Sequence, residues 1–335
     1  MIRPGRRNLI TDVDGILVGS AEDRRVGSGS TVVLCETPAV GGIDVRGGAP
    51  GTRDTELLDP ANWVSAIDAI ALSGGSAFGL DAGAGAQGWL ARQGRGVEVG
   101  TARVPIVPGA IIFDLTAPGD KDWGEMPPYR ELGRRAAAAA AKDFALGNAG
   151  AGLGARAGRI KGGLGSASAV DDEGWHVGAI VVANPVGSVL IPGTTTLWAW
   201  PFEMAGEMGG QRPPSTGLAA DAFDLPAEAR IGGHTTIGVV AVDARLDKAD
   251  CRRLAIMAHD GLARAIRPVQ TPFDGDTIFA LATGRREIAE PRPLALARLG
   301  ALAADCMARA VGRAVYCAET LGDVPSYRSL SGDKP

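Results

Sequence analysis

The chain has 335 residues, of which 45% are hydrophobic, 21% are charged and 5% are aromatic. This apolar content excludes an intrinsically disordered chain, and the net charge of −4 argues against a nucleic-acid-binding surface. No stretch approaches the roughly 20 apolar residues that span a membrane, and no apolar signal-peptide core follows the N-terminus. The composition therefore predicts a soluble, cytoplasmic protein without a membrane or nucleic-acid partner.

The chain has four cysteines and three histidines. The cysteines form no Cys-x-x-Cys pair, and the histidines lie far apart in the sequence. A disulfide scaffold, a zinc ribbon and a histidine-based zinc site are therefore not expected. The sequence predicts buried free thiols and no metal.

The first half of the chain is expected to mix short strands with two helices. Short apolar runs predict strands at residues 31–34, 66–72, 97–99 and 110–114. An apolar stripe that includes Phe78 and Leu90 predicts a helix that ends near Arg92. The alanine-rich residues 131–144 predict a second helix. Polar or glycine-rich composition predicts loops at residues 41–54 and 118–128, and residues 147–165 are again glycine-rich.

The second half contains the longest apolar elements. Apolar β-type runs predict strands at residues 177–183, 236–242 and 277–282, with residues 188–191 as a further candidate. Helical spacing predicts helices at residues 248–266 and 294–315, and residues 192–228 predict a long, turn-rich connector. Because the order is not a βαβ repeat and no Gly-x-Gly-x-x-Gly lies between a strand and a helix, the sequence predicts a layered α+β architecture.

A glycine pair, Gly232-Gly233, precedes His234-Thr235-Thr236 and an apolar run. Threonine is β-branched, so two threonines that open a strand have an ordinary structural explanation. A chain that cut itself before Thr235, however, would expose a threonine with a free α-amine, which carries a nucleophile and a base on one residue. The residues by themselves leave both explanations open.

Other polar residues also have two explanations. Asp274 and Asp276 flank a glycine and fit an acidic turn. Lys161 fits a surface lysine in a glycine-rich loop, and the Walker pattern of a phosphate-binding loop is absent there. Asn184 ends an apolar run before a proline and fits the cap of a turn.

Five short strings occur in a distinctive order and spacing. They are Leu72–Asp81, Lys161–Ser168, Ala183-Asn184, Thr235–Ile237 and Asp274–Thr277. In these strings the chain resembles the self-processing aminopeptidases, a family that includes L-aminopeptidase/D-esterases, β-aminopeptidases and the nylon-oligomer (6-aminohexanoate oligomer) endohydrolase. The resemblance extends from about residue 8 to about residue 284. Threonine at position 235 and the Asp-Gly-Asp string are most similar to the nylon-oligomer branch.

The resemblance implies a four-layer αββα sandwich of the N-terminal-nucleophile-like type, related to the ornithine acetyltransferase fold. It implies self-cleavage between His234 and Thr235, which gives an α chain of residues 1–234 and a β chain of residues 235–335 that stay associated. The implied activity is hydrolysis of amide bonds in small peptides, amino-acid amides or ω-amino-acid oligomers, without a metal or organic cofactor. The implied assembly is a homo-oligomer, a tetramer of αβ units.

The resemblance also implies roles for individual residues. Thr235 would be the nucleophile of self-cleavage and then of hydrolysis, with its freed α-amine as the general base. Asp274 and Asp276 would orient the nucleophile and its amine. Lys161 would polarise or orient the nucleophile, and Asn184 would donate a hydrogen bond to the oxyanion.

Three more residues are candidates for lining the substrate pocket: Ser73, Gly74 and Tyr129. The Ser73–Ser76 segment fits a helix N-terminus equally well, with Ser76 as the N-cap. Tyr129 lies in the part of the chain where the family has an active-site tyrosine, but a packing role before the helix explains it equally well.

Two other functions fit the same resemblance. Ornithine acetyltransferase also cleaves itself and uses a threonine nucleophile, so acyl transfer to an amine is the second hypothesis. An uncleaved chain that acts as a binding or scaffold protein is the third. His234 stands where a small or amide residue is expected, which leaves the efficiency of self-cleavage open.

Overall fold

The computed structural model describes residues 1–215 and 233–331. Its strands are β1 (Ile16–Asp23), β2 (Ser28–Val45), β3 (Thr52–Arg53), β4 (Ile67–Ser73), β5 (Val97–Val99), β6 (Ala102–Val104), β7 (Gly109–Ile111), β8 (Arg156–Ala157), β9 (Ile160–Lys161), β10 (Gly163–Val170), β11 (His176–Ala183), β12 (Ile237–Ala244) and β13 (Thr277–Arg286). Its α-helices are α1 (Asp81–Arg92), α2 (Tyr129–Ala138), α3 (Lys248–Ala265), α4 (Arg292–Tyr316) and α5 (Tyr327–Ser331).

The long strand β2 belongs to two sheets. Its first part, up to Cys35, lies between β1 and β4, and β4 continues through β7 to β3. Its last part, residues 40–45, pairs antiparallel with β13, which continues through β12 and β11 to β10. The register shifts between Leu34 and Ala39, where the exposed residues 36–38 interrupt the buried pattern. One strand therefore connects the two sheets.

Three apolar clusters show how the layers stack. Alternate residues of β12 have opposite environments: Ile237 and Val239 belong to a cluster shared by both sheets, whereas Val240 and Val242 pack with residues of α3 and α4. The third cluster joins β2 and β4 to α1 and α2. The order is therefore helices, sheet, sheet, helices, and the α+β, αββα architecture expected from the sequence is confirmed.

Several element boundaries differ from the sequence prediction. Residues 41–45, predicted as loop, continue β2 because β13 supplies their backbone partners. The helix predicted to extend to residue 144 ends at Ala138, and Ala141 pairs with Val18 of β1 instead. The candidate strand at residues 188–191 forms only isolated bridges. The predicted connector is described as far as residue 215, and its remainder lies outside the described residues.

Within residues 1–215 and 233–331, no helix combines the length and the apolar character that crossing a membrane requires.

A buried ion pair fixes α4 to the rest of the fold. The guanidinium of Arg309 is fully buried and donates to both oxygens of Glu207, from Nε to Oε1 at 2.5 Å and from Nη2 to Oε2 at 2.9 Å. It also donates to the Ser168 carbonyl oxygen at 2.8 Å and to Asn8 Oδ1 at 2.7 Å. Arg309 therefore ties three distant segments of the chain to one helix.

Glu207→Ala is expected to lower the free energy of unfolding by about 3–5 kcal/mol, because it leaves the guanidinium of Arg309 buried without its carboxylate. The matched control is Arg298→Ala on α4, the helix that carries Arg309. It removes an exposed ion pair with Glu173 that is worth less than about 1 kcal/mol. Urea unfolding of both variants measures the difference. Equal losses would show that burial does not distinguish the two pairs.

Candidate active site

The five residues predicted to be catalytic are all buried, and none exposes more than 2% of its surface. They are Lys161, Asn184, Thr235, Asp274 and Asp276. Alternation along β11 and β12 directs Asn184 and Thr235 toward the space between the two sheets. The same alternation along β13 directs Asp276 toward α3. The ends of three neighbouring strands therefore converge on one polar region.

Both polar groups of the peptide bond between His234 and Thr235 are hydrogen-bonded. The Thr235 N–H donates to the Asn184 carbonyl oxygen at 2.8 Å. The His234 carbonyl oxygen accepts from the Gly275 N–H at 3.0 Å and from the hydroxyl of Thr235 itself. The hydroxyl of Thr235 is therefore in direct contact with the carbonyl group that precedes it.

Only glycine fits at position 275. A Cβ there would lie 2.6 Å from the Ala49 carbonyl oxygen and 2.8 Å from the Thr235 hydroxyl oxygen. Both distances are shorter than real contacts allow. The glycine of the Asp-Gly-Asp string therefore lets its backbone lie directly against Thr235.

Both carboxylates are anchored by hydrogen-bond donors. Asp274 accepts from the Val186 N–H at 3.1 Å through Oδ1, and from the Thr271 hydroxyl at 2.6 Å through Oδ2. Asp276 accepts from the Thr236 N–H at 2.7 Å through Oδ1, and from the Gln270 N–H at 2.9 Å through Oδ2. Asp276 thus holds the backbone of the residue that follows Thr235.

Burial raises the pKa of Asp276 to about 7, and the nearby charge of Asp274 acts in the same direction. The two N–H donors oppose this shift because they favour the ionised carboxylate. The site therefore holds a carboxyl group that titrates near neutral pH.

Lys161 is placed by the β8–β9 hairpin. Its partner in the hairpin, Arg156, donates its backbone N–H to Asn184 Oδ1 at 2.9 Å, so the hairpin lies beside the end of β11. A Cβ at Gly162 would lie 2.1 Å from the Ala183 carbonyl oxygen, which explains the glycine after the lysine. Gly162 therefore lets the backbone that follows Lys161 pass close to the end of β11.

Burial lowers the pKa of Lys161 to about 7, although the charge of Asp114 acts in the opposite direction. The Lys161 Nζ donates to the Gly152 carbonyl oxygen at 2.8 Å and to the Gly162 carbonyl oxygen at 3.0 Å. A neutral amine has two hydrogens for these two acceptors and keeps a lone pair that can accept a proton.

The side chain of Asn184 is engaged at both ends. Oδ1 accepts the Arg156 N–H, and Nδ2 donates to the Phe113 carbonyl oxygen in a long hydrogen bond of 3.3 Å. His234 is half-buried beside these groups. Burial lowers its pKa, while the charge of Asp274 acts in the opposite direction. A histidine in this position is therefore favoured in its neutral form.

A second buried polar group surrounds Asp114, which the sequence analysis does not single out. Asp114 accepts from the Ser28 hydroxyl at 2.6 Å and from the Gly75 N–H at 2.7 Å, and burial raises its pKa. The Tyr129 hydroxyl donates to Ser28 Oγ at 3.2 Å. A Cβ at Gly74 would lie 2.2 Å from Asp114 Oδ2. The available sequence signal was an acidic residue at the end of the apolar run of residues 110–114.

The candidate lining residues thus lie around Asp114. Ser73 and Tyr129 are both buried, and the Ser73 hydroxyl is hydrogen-bonded to the Ser30 hydroxyl at 2.8 Å. The Gly75 backbone has a φ of +85°, and a Cβ there would meet the Tyr129 ring at 2.1 Å. Ser76 has no side-chain capping bond, since the helical turn begins after Gly75.

A hydrogen bond joins Thr235 directly to Asn184. Hydrogen bonds also join Thr236 to Asp276, and His234 to Gly275. Asp274 lies beside His234 in a parallel bridge, and Lys161 is joined through the hairpin. In residues 1–215 and 233–331, no group of three or more histidine, cysteine, aspartate or glutamate side chains is placed to hold a metal ion.

Solved structures share this architecture. A beta-aminopeptidase from Burkholderia sp. superposes with a TM-score of 0.71 at 22% identity, covering 100% of this chain and 97% of the other. An L-aminopeptidase D-Ala-esterase/amidase from Ochrobactrum anthropi, described as a variant of the Ntn hydrolase fold, gives 0.69 at 22% identity, covering 96% and 89%. The fold is therefore that of this class of Ntn hydrolase variants.

Sequence comparison gives the family. Residues 8–326 match peptidase family S58, and the chain belongs to this family. An uncharacterized aminopeptidase of Mycobacterium tuberculosis (strain ATCC 25618 / H37Rv) is 46% identical over 348 residues, covering 96% of this chain and 98% of the relative. A 6-aminohexanoate-oligomer endohydrolase of Kocuria sp. (strain KY2) is 31% identical over 294 residues, covering 83% and 76%. The chain is thus a hydrolase of peptide or amide bonds.

Asp276→Asn is expected to change how stability depends on pH. In the wild type the carboxyl binds its proton more tightly in the folded state, with a pKa of about 7, than in the unfolded state, where it is near 3.9. Wild-type stability therefore falls as the pH rises from about 4 to about 7, and the asparagine variant lacks this fall.

Urea unfolding from pH 3 to pH 8 measures this effect. The free energy of unfolding of the variant minus that of the wild type should rise between pH 4 and pH 7 and stay constant on either side. A difference that does not depend on pH would show that Asp276 keeps an ordinary pKa in the folded protein.

Proposed function

We propose that the chain is a precursor that cleaves its own peptide bond between His234 and Thr235, and that Thr235 then hydrolyses amide bonds as an N-terminal nucleophile. The observation that carries this proposal is the contact of the Thr235 hydroxyl with the His234 carbonyl group, whose oxygen also accepts the Gly275 N–H. The products are an α chain of residues 1–234 and a β chain of residues 235–335.

In the first step, the Thr235 hydroxyl oxygen attacks the His234 carbonyl carbon, and its proton passes to a base. The negative charge develops on the carbonyl oxygen, where the Gly275 N–H stabilises it. Collapse of this intermediate breaks the bond to the Thr235 nitrogen, which takes up a proton and becomes an amine. The resulting ester is hydrolysed by water, which frees the His234 carboxylate and restores the Thr235 hydroxyl.

The first step needs a base other than the α-amine, because that amine does not exist before cleavage. We assign this role to Lys161. Its side chain is buried, its pKa is about 7, and its two hydrogen bonds to carbonyl oxygens suit a neutral amine. Asp276 and Asp274 keep the backbone on both sides of Thr235 in register through the Thr236 N–H and the bridge at His234.

After cleavage, the freed amine of Thr235 replaces Lys161 as the base for attack on a substrate amide. The Asn184 carbonyl oxygen, which already accepts from this nitrogen at 2.8 Å, would orient the amine. The Asn184 side-chain amide would leave its long bond to Phe113 and donate to the substrate oxyanion. We propose amino-acid amides, small peptides and ω-amino-acid oligomers as substrates, in line with the names of the relatives.

Thr235→Val keeps the shape of the side chain without its hydroxyl, and we expect it to remain a single chain. The wild type should separate into two fragments that meet at His234 and Thr235, and Thr235→Ser, which keeps the hydroxyl, should do the same. Intact-mass spectrometry after incubation at neutral pH measures all three. A valine variant that is cut at the same bond would reject Thr235 as the nucleophile.

Lys161→Met is expected to slow self-cleavage by at least about 100-fold, in the range that general bases contribute. Lys161→Arg should not restore the rate, because a guanidinium stays protonated at neutral pH. The fraction cut is followed over time by intact mass, with circular dichroism as the check on folding. Restoration by arginine would assign Lys161 an electrostatic role instead.

The mature wild type should release amine from amino-acid amides or 6-aminohexanoate oligomers, whereas Thr235→Val should not. If the wild type cuts itself but releases amine from none of these compounds, the self-cleavage proposal stands and the substrate proposal fails.

A further inference from the structure

A third set of buried polar groups, separate from the one around Asp114, lies beside Asp276 on the side that faces α3. His259 of α3 is fully buried. Its Nε2 lies 3.0 Å from the Asp44 carbonyl oxygen, and its Nδ1 lies 3.1 Å from Gln270 Nε2. Because a carbonyl oxygen can only accept, Nε2 carries the hydrogen and Nδ1 accepts from the Gln270 amide. Burial also lowers the pKa of His259, which favours this neutral form.

Gln270 is held in a conformation that non-glycine residues avoid. Its φ is +57°, in the left-handed region. In this conformation its backbone N–H donates to Asp276 Oδ2 at 2.9 Å, while its side-chain amide reaches His259. Such a conformation persists only where the surroundings impose it. The hydrogen bond between the Gln270 side-chain amide and His259 is the side-chain contact that helps to impose it.

The end of β2 closes the network into a ring. Beyond Asp44, which accepts from His259, the N–H groups of Arg46 and Gly47 donate to the Asp276 carbonyl oxygen at 3.0 and 3.2 Å. Asp276 is therefore fixed through its backbone by the two residues that follow β2, and through its carboxylate by Gln270. Its remaining carboxylate oxygen accepts from the Thr236 N–H, directly after the nucleophile.

We propose that His259 and Gln270 are positioning residues of the active site, which hold the Asp276 carboxylate and, through it, the Thr235-Thr236 backbone in the geometry that self-cleavage requires. This inference rests on the proposed function, because it assigns the two residues to the same reaction. Neither residue touches the reacting atoms. Their effect passes through one carboxylate oxygen.

The titratable and charged groups near this network are few among the described residues. Asp274 faces Asp276, and the groups that act on His259 are Asp44 of β2, Arg46 just after β2, and Asp260 from its own helix. Loss of the Gln270 N–H from the Asp276 carboxylate would raise the pKa of Asp276 further. A displaced network should therefore move the pH dependence of self-cleavage as well as its rate.

The test follows self-cleavage of precursor made by cell-free translation, using intact mass at several pH values. His259→Phe removes both hydrogen bonds of the ring, and Gln270→Met removes the side-chain amide at similar length. We expect each to slow self-cleavage at least tenfold and to shift the acid limb of the pH–rate profile upward by at least half a unit. His259→Gln, whose amide can donate to Asp44 and accept from Gln270, should stay within about threefold of the wild type.

The matched control is Leu254→Ala, which removes a buried apolar side chain from the same helix. It should lower the Tm without moving the pH–rate profile. If His259→Phe does not fold, Gln270→Met decides alone, because that side chain is only partly buried.

Wild-type rates and an unshifted pH–rate profile in His259→Phe and Gln270→Met would overturn the inference. It would also be overturned if these variants were slowed no more than a Leu254→Ala variant of the same Tm. A wild-type chain that never cleaves would refute the proposed function instead, so the two failures are distinguishable.

Discussion

The site depends on one constraint, the close approach of three backbone segments around the peptide bond between His234 and Thr235. The ends of β11 and β13 supply the partners of its two polar groups, from Asn184 and Gly275. No side chain fits at position 275, so the threonine hydroxyl and the preceding carbonyl group are kept in contact. The carboxylates, the lysine hairpin and the ring behind Asp276 are all arranged around this fixed peptide.

Burial determines the charges at this peptide. It moves the pKa of Lys161 down and the pKa of Asp276 up, so that both groups titrate near neutral pH. In water a lysine would stay charged and could not accept a proton at this pH. The αββα layers therefore do more than support the site, because the space between them removes the water that would keep these groups in their ordinary states.

Two glycine-rich strings in which the chain resembles the family have a physical explanation in this chain. Glycine at position 162 lets the lysine hairpin meet the Ala183 carbonyl group, and glycine at position 75 adopts a positive φ against the Tyr129 ring. Each string marks a point where backbone approaches another group too closely for a Cβ. The chemistry-bearing residues stand next to these points, so that their positions are set by backbone contacts.

The sequence by itself determined the layered α+β class, most of the long strands and helices, and, through its resemblance to a family, the residues placed at the site. Periodicity and composition are local properties, and they suffice for elements such as β12, α3 and α4. Only the tertiary structure decided that residues 41–45 continue β2, since their partners lie in β13, more than 200 residues away. Gln270 and His259 could not be found from sequence, because a buried hydrogen-bond partner has no local pattern and is defined only by what the fold brings beside it.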